Sequence, residues 1–238
     1  MNVIVSSPKL VVQVHEALVS EMAQGRLKPG DRIIQEQVAE QLGVSRQPVQ
    51  QALLLLRNQG VLQDAPGRGL IVAPLDPQYV RNMFDIRAML EGLAFRRAAE
   101  TNSECARKLA PSLIERGRKT SESGSVAEMI SADVAFHSLI HDLSRNPLIG
   151  SAMEAQWVYT QRVMGDVLQQ DEAPHAIWAQ HEEMLQAVMA GQGDRAERLA
   201  REHVTRAATI VIERLSNTAT GGAAPWRRAA APASAFGC

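Results

Sequence analysis

Asp133 and His137 stand four residues apart, a spacing that puts both side chains on one face of a helix. His181 and His203 lie on two later segments of helical pattern. One carboxylate and three imidazoles delivered by three helices form a donor set of borderline softness. It suits a divalent transition ion such as zinc, nickel, manganese or iron, with water or a small ligand completing the shell. The plainer interpretation makes each imidazole a half-buried polar residue, which for a single histidine is the commoner case. Only six histidines occur in the chain. His141 lies one turn beyond His137, and His175 a turn and a half before His181, so spacing alone leaves both in competition for a ligand role. Arg87 and Arg162 are candidate partners for a carboxylate, which arginine grips through parallel N–H groups. Arg87 also precedes Glu91 by four residues, the spacing of a local helix ion pair. Trp157 and Tyr159 are candidates for a cavity wall, although a tryptophan on such a helix is more often core.

These residues need helices to position them, and the second part of the chain supplies six. The pattern predicts helices over Pro77–Glu100, Ser103–Ser121, Ser125–Leu143, Pro147–Gln169, Ala173–Ala190 and Asp194–Leu215. Breaks at Thr101-Asn102, Ser123-Gly124, Asn146-Pro147, Asp171 to Pro174 and Gly191 to Gly193 make short loops, so an antiparallel bundle is expected. The Ala/Gly/Pro-rich stretch from Thr218 is expected to be disordered.

Ahead of this bundle the chain is built differently. Leu10–Gln24 reads as one helix. Ile34, Val38 and Leu42 mark a short amphipathic helix that stops at Gly43. Ser45 reads as the N-cap of a further helix with Pro48 in its first turn, and Val49, Ala52, Leu53 and Leu56 form its apolar face. Two short apolar runs, Val61–Gln63 and Leu70–Ala73, flank the basic turn Ala65-Pro-Gly-Arg-Gly69. Helix, turn, helix and hairpin make the plan of a winged helix-turn-helix, which lays its second helix in the major groove of DNA. The expected architecture is therefore mainly α. It places a winged helix-turn-helix over residues 1–75, an antiparallel six-helix bundle over 76–217 and a tail over 218–238. Asp76-Pro77 marks the junction as N-cap and first helical residue.

The stretch PGDRIIQEQVAEQLGVSRQPVQQALLLLRNQGVL, followed by GRGLIVAP, resembles the winged helix of GntR-family bacterial transcription regulators. The second part is similar to the FCD-type ligand-binding domain of that family's FadR subfamily, on Asp-Ile-Arg87 with Leu90-Glu91, Asp133 to Phe136-His137, His181, Gly193-Asp194 and His203. Six helices after the wing bring it closer to the VanR-like branch. The resemblance covers all but the tail. It implies that Asp133, His137, His181 and His203 are the four metal ligands, which removes His141 and His175 from that role. It further implies a small organic-acid effector bound near the metal, for which Arg87 and Arg162 are the candidate contacts on arginine–carboxylate chemistry. A homodimer that represses from a near-palindromic double-stranded operator completes the expectation. For the DNA contacts it points to Ser45, Arg46, Gln47, Gln50 and Arg68. Relatives often carry other residues where this chain has Glu36, Gln47, Gln50 and Gln51. Glutamine pairs with adenine where arginine prefers guanine, so a shifted operator is expected.

Other classes fit less well. His181-Glu182-Glu183 begins like the zinc-protease pattern H-E-x-x-H, but Leu185 stands where the second histidine is needed. Glu172 and His175 have Glu-x-x-His spacing, but Pro174 interrupts it and no second pair exists. No serine or cysteine has the setting of a nucleophile, so an enzyme is not expected. A DNA-binding scaffold whose bundle only dimerises is the remaining alternative. Formal net charge is −1, which argues against non-specific coating of nucleic acid. Cys105 and Cys238 make neither a metal spacing nor a disulfide framework. The N-terminal residues lack a secretory pattern and no apolar run is long enough to span a bilayer, so a cytoplasmic protein without membrane contact is expected.

Overall fold

The computed structural model describes residues 8–168 and 174–221. Helix α1 (Pro8–Ala23) precedes strand β1 (Arg32–Ile33), and α2 (Gln35–Leu42) and α3 (Arg46–Asn58) follow it. Strands β2 (Leu62–Asp64) and β3 (Leu70–Val72) come next. Gly43 closes α2 with φ of 63°, a left-handed turn that an L side chain resists and that sends α3 off at an angle. Ser45 has the extended backbone of an N-cap, but its side chain makes no capping hydrogen bond. Val49, Ala52, Leu53 and Leu56 are buried as their spacing required. In α2 the expected stripe is thinner. Val38 and Ala39 are buried, whereas Ile34 and Leu42, at the two ends of the helix, stay exposed beside a shallow groove. The hairpin forms where expected, with Leu62 opposite Val72 and Asp64 opposite Leu70. It gains a third strand that no sequence pattern announced. Arg32 and Ile33 pair antiparallel with β3, so the order is β1-β3-β2.

Asp76 caps the next helix by accepting from the Gln78 N–H at 2.9 Å, with Pro77 in the first helical position. Helix α4 runs from Pro77 to Ser123, joining the first two expected helices into one bent element. The bend falls at Asn102 (φ −138°, ψ 29°), where a break was expected, and not at Pro111. The Asn102 amide donates to the Leu143 carbonyl at 2.6 Å, stapling the bend to the end of α5 (Val126–Leu143). Ser125 and Glu128 form a capping box at the start of α5. The bundle is completed by α6 (Pro147–Leu168), α7 (Pro174–Met189) and α8 (Gly193–Gly221). The expected ends at Gln169 and Ala173 lie outside the described residues. Helix α8 continues past Leu215 to Gly221, into the stretch expected to be disordered, because no glycine or proline interrupts it before that point. The rest of the expected tail also lies outside the described residues.

The core is two clusters. One fills the bundle around Phe95, Phe136, Ile140, Met153 and Met184. The other starts in the N-terminal part with Val14, Leu18, Leu56 and Val72. It continues without a break into Val80, Phe84, Tyr159, Val163 and Val211 of α4, α6 and α8. At Gly165 the backbone of α6 approaches the end of α1 so closely that a Cβ would stand 2.0 Å from the Ala23 carbonyl oxygen. Among the described residues, no helix is long and apolar enough to cross a membrane.

Candidate functional site

Asp133 and His137 face inward from α5, His181 from α7 and His203 from α8. The Nε2 atoms of His181 and His203 are 3.3 Å apart. Asp133 Oδ1 lies 3.5 Å from His181 Nε2 and 4.0 Å from His137 Nε2. One ligand atom from each of the three histidines falls within 4.8 Å of the others. Metal–nitrogen bonds of ~2.1 Å place neighbouring donors roughly 3.0–3.4 Å apart, so this set needs only small shifts to close on one ion. His137 Nε2 is buried without a hydrogen-bond partner, an expensive state that a coordinated cation would relieve. The three histidines, with Asp133 beside two of them, thus fit a transition ion.

Electrostatics favour the same occupancy. Burial, reinforced by His203 and His137, holds the His181 imidazole well below its ordinary pKa. Burial again, with His137 and Arg87, lowers His203 to about 3. Both are neutral imidazoles at neutral pH, ready to ligate without releasing a proton. Burial raises the carboxyl of Asp133, with His137 and Arg87 pulling against it.

Behind the cluster stands a group that the sequence had not marked as part of it. Glu91, on α4, is fully buried, with Oε2 3.1 Å from His137 Nδ1 and 3.2 Å from His141 Nε2. Burial opposes charge on this carboxyl, but His137 and His141 outweigh it and hold its pKa well below the ordinary range. His141 is thus bound to Glu91 and turned away from the ligand set. The side chain of His175 lies outside the described residues. The i,i+4 spacings of Arg87 with Glu91 and of His137 with His141 were visible in the sequence. That these two pairs face each other across α4 and α5 was not.

A cavity of about 400 Å³ opens beside the cluster, a size typical of small-molecule sites. Arg87, Asp133, Gln180, His203 and Arg206 are among its polar lining, and Phe84, Met164, Ile177, Val204, Ile210 and Val211 among its apolar lining. Gln180 Oε1 lies 3.0 Å from His203 Nδ1. Arg87 is almost wholly buried, its guanidinium 4.7 Å from the Trp157 ring centre and its Nε 3.5 Å from Glu91 Oε1. Arg162 is elsewhere. Its guanidinium donates to the Ala73 carbonyl at the end of β3, beside Met22, Leu27 and Leu75. It therefore joins α6 to the N-terminal part and does not reach the cavity. The reason is its place on α6, on the face that also carries Gly165. Tyr159 is likewise a junction residue. Its hydroxyl accepts from the Asp76 N–H at 3.2 Å and its ring packs on Tyr79.

At the other end of the molecule, Ser45, Arg46, Gln47 and Gln50 project from the first turns of α3 and all are exposed. Arg46 is paired with Glu36 of α2 at 3.3 Å, and its carbonyl accepts from the Gln35 amide at 2.9 Å. Arg68 is exposed at the tip of the hairpin turn, where its carbonyl accepts from Arg32 at 2.7 Å.

Residues 10–72 match the family described as bacterial regulatory proteins, gntR family, and residues 82–206, more than half of the chain, match the FCD domain. The chain belongs to the GntR family, with an FCD domain. This GntR-family chain is 31% identical over 149 residues to the HTH-type transcriptional regulator McbR of Escherichia coli K12, spanning 63% of this chain and 67% of McbR. It is 27% identical over 194 residues to the HTH-type transcriptional repressor RspR of the same organism, covering 81% and 84% of the two chains. The solved structure of E. coli McbR/YncC superimposes with a TM-score of 0.76 at 25% identity, over 89% of this chain and 99% of that one. A putative GntR regulator from Rhodococcus sp. RHA1 shares the fold, with a TM-score of 0.69 at 18% identity over 85% and 97% of the chains. The protein is therefore a transcription regulator with a DNA-binding GntR domain, and not an enzyme. Glu182, of the incomplete H-E-x-x-H pattern, pairs with Arg118 of α4 at the surface.

Proposed function

We propose that this GntR regulator is a cytoplasmic homodimer whose affinity for operator DNA is set by a small organic acid bound beside a divalent metal. In this reading residues 1–75 read DNA, residues 76–217 sense the acid and dimerise, and Asp133, His137, His181 and His203 hold the ion. The ion supplies a fixed positive charge at the polar end of the cavity. The observation that carries the proposal is the meeting of three histidines from three helices, with Asp133 beside two of them, at the wall of a cavity that Arg87 also lines. Arg87 is the cation placed to grip a carboxylate; Arg162, at the junction, is not an effector contact in this proposal. The apolar lining, Phe84, Ile177, Val204, Ile210 and Val211 among it, suits an acid with an apolar body.

Zinc, nickel, manganese and iron all accept this donor set. The names of RspR and of the probable D-xylose utilization operon repressor of Paenarthrobacter nicotinovorans support repression as the sign of control. Dimerisation is supported by Ile86, Met89 and Leu93, an exposed apolar strip one face wide along α4. DNA reading is assigned to Ser45, Arg46, Gln47, Gln50 and Arg68. Arg46 and the glutamines would reach base edges, and Arg68 the backbone or minor groove.

The test is metal content and thermal shift of purified protein, wild type against His137→Ala/His181→Ala. The panel runs from acetate to octanoate, with citrate. Bound metal and an acid-dependent shift in the wild type, both absent from the double variant, are expected. An unchanged acid response in the double variant would favour the scaffold reading.

A further inference from the structure

Glu91 contributes no ligand in the proposed metal reading, yet its carboxylate touches both the ligand set and the acid-binding side chain. Its side chain has no solvent exposure. An ionised carboxylate only accepts hydrogen bonds; His141 Nε2 makes one to Oε2 at 3.2 Å, while His137 Nδ1, at 3.1 Å, is close but not aligned for one. A small rotation of the His137 ring would bring an Nδ1–H onto Oε2 and leave the Nε2 lone pair for a cation shared with Asp133, His181 and His203. For His141 the bond places the proton on Nε2 and commits that ring to Glu91. The other oxygen, Oε1, faces Arg87 Nε at 3.5 Å, and both atoms are buried without a hydrogen-bond partner. Such a pair is poised: a shift of a few tenths of an ångström makes the bond. Arg87 in turn lines the cavity beside Asp133 and His203.

We propose that Glu91 is a positioning residue that links Arg87 to His137, so that acid at Arg87 and metal at His137 strengthen each other. The inference rests on the metal and acid reading above. The physical chain is short. An acid on Arg87 takes up part of the guanidinium's positive charge, which leaves more of the Glu91 charge for the His137 N–H. His137 becomes a better donor through Nε2, and a cation at Nε2 polarises the same N–H towards Glu91. Coupling between two binding events is reciprocal, so either ligand reports on the other. His141 keeps Glu91 aligned from the far side.

The experiment titrates zinc into metal-free full-length protein against a competing chelator, with and without saturating hexanoate. Wild type, Glu91→Gln, Glu91→Leu and His181→Ala are compared. Nitrogen-15 shifts of His137 are recorded in the metal-free samples, and circular dichroism checks each fold. Glu91→Gln is expected to weaken zinc by about 10- to 100-fold, and Glu91→Leu by at least as much. Hexanoate is expected to tighten zinc about fivefold or more in wild type and not in Glu91→Gln. The His137 ring is expected to be uniformly Nδ1-protonated in wild type and mixed in Glu91→Leu. Folded variants with wild-type zinc affinity, or with an unaltered His137 tautomer, overturn the positioning role. Zinc uptake by wild type no greater than by His181→Ala overturns the metal reading instead, and the tautomer then decides separately whether Glu91 orients His137.

Discussion

Single side chains set the chemistry at both ends of this molecule. In the proposed reading head, Arg46 is exposed and pairs at the surface with Glu36. Arg46→Ala is expected to cost about 1–3 kcal/mol of operator binding and to relax preference at one base pair. Arg68→Ala should instead weaken all sequences evenly and lower the salt slope by about one, both measurable by fluorescence anisotropy across salt. In the bundle, the depressed imidazoles of His181 and His203 make a pH prediction for chelated protein. Their folded pKa values lie below the unfolded ~6.5, so below that pH the unfolded chain takes up protons that the native state refuses. Stability is full above pH ~6.5 and falls as pH drops towards 3, by at most ~1.4 kcal/mol per pH unit for each histidine. Asp133, raised by burial, acts in the opposite sense, but one carboxyl faces two imidazoles. Urea midpoints at pH 7, 6 and 5 should fall in chelated wild type and fall less in His181→Phe.

Among the elements, α6 has two tasks. Trp157 faces Arg87 and Met164 lines the cavity, while Tyr159, Arg162 and Gly165 hold the winged helix. A movement of α6 on the cavity side must therefore be felt at α1 and at the wing. Gly165→Leu forces side-chain atoms into the Ala23 carbonyl and is expected to destabilise by about 1–3 kcal/mol. Hydrogen exchange should show the lost protection concentrated in α1 and α6 rather than in α5. Most elements were legible because their periodicity, caps and breakers are local. Capping signals at Ser125 and Asp76, the turn at Gly43 and the six bundle segments are of this kind. Strand β1 was not, since two residues carry no period and exist as a strand only because β3 offers an edge. The continuity of α4 through Asn102 was also hidden. The Asn102 side chain is held at the bend by the Leu143 carbonyl, which is far along the chain.

For the whole molecule, one core passes from the winged helix into the bundle, so the two parts are packed together rather than tethered. In the proposed dimer, an acid matters only if it favours one relative placement of the two reading heads. The exposed strip of Ile86, Met89 and Leu93 belongs to this scale, as the surface the proposed dimer would cover. Ile86→Glu/Met89→Glu is expected to sediment as monomer where wild type sediments as dimer. Its affinity for an operator with two half-sites should fall by roughly a hundredfold or more, with single half-site binding preserved. Monomeric wild type with full operator affinity would remove dimerisation from the mechanism.

By itself the sequence determined the order of the two parts, the mainly helical class and the place of the helix-turn-helix, all carried by short-range patterns that physics makes local. It also put Asp133 and His137 on one face. Tertiary structure decided the rest of the site. Histidines on α5, α7 and α8 meet only when three helices pack, and Glu91 enters from a fourth. It likewise assigned Arg87 to the cavity and Arg162 to the junction, a distinction between two arginines with the same chemistry. The direction in which a helix face points depends on what packs against it, and residue spacing along one helix does not contain that information.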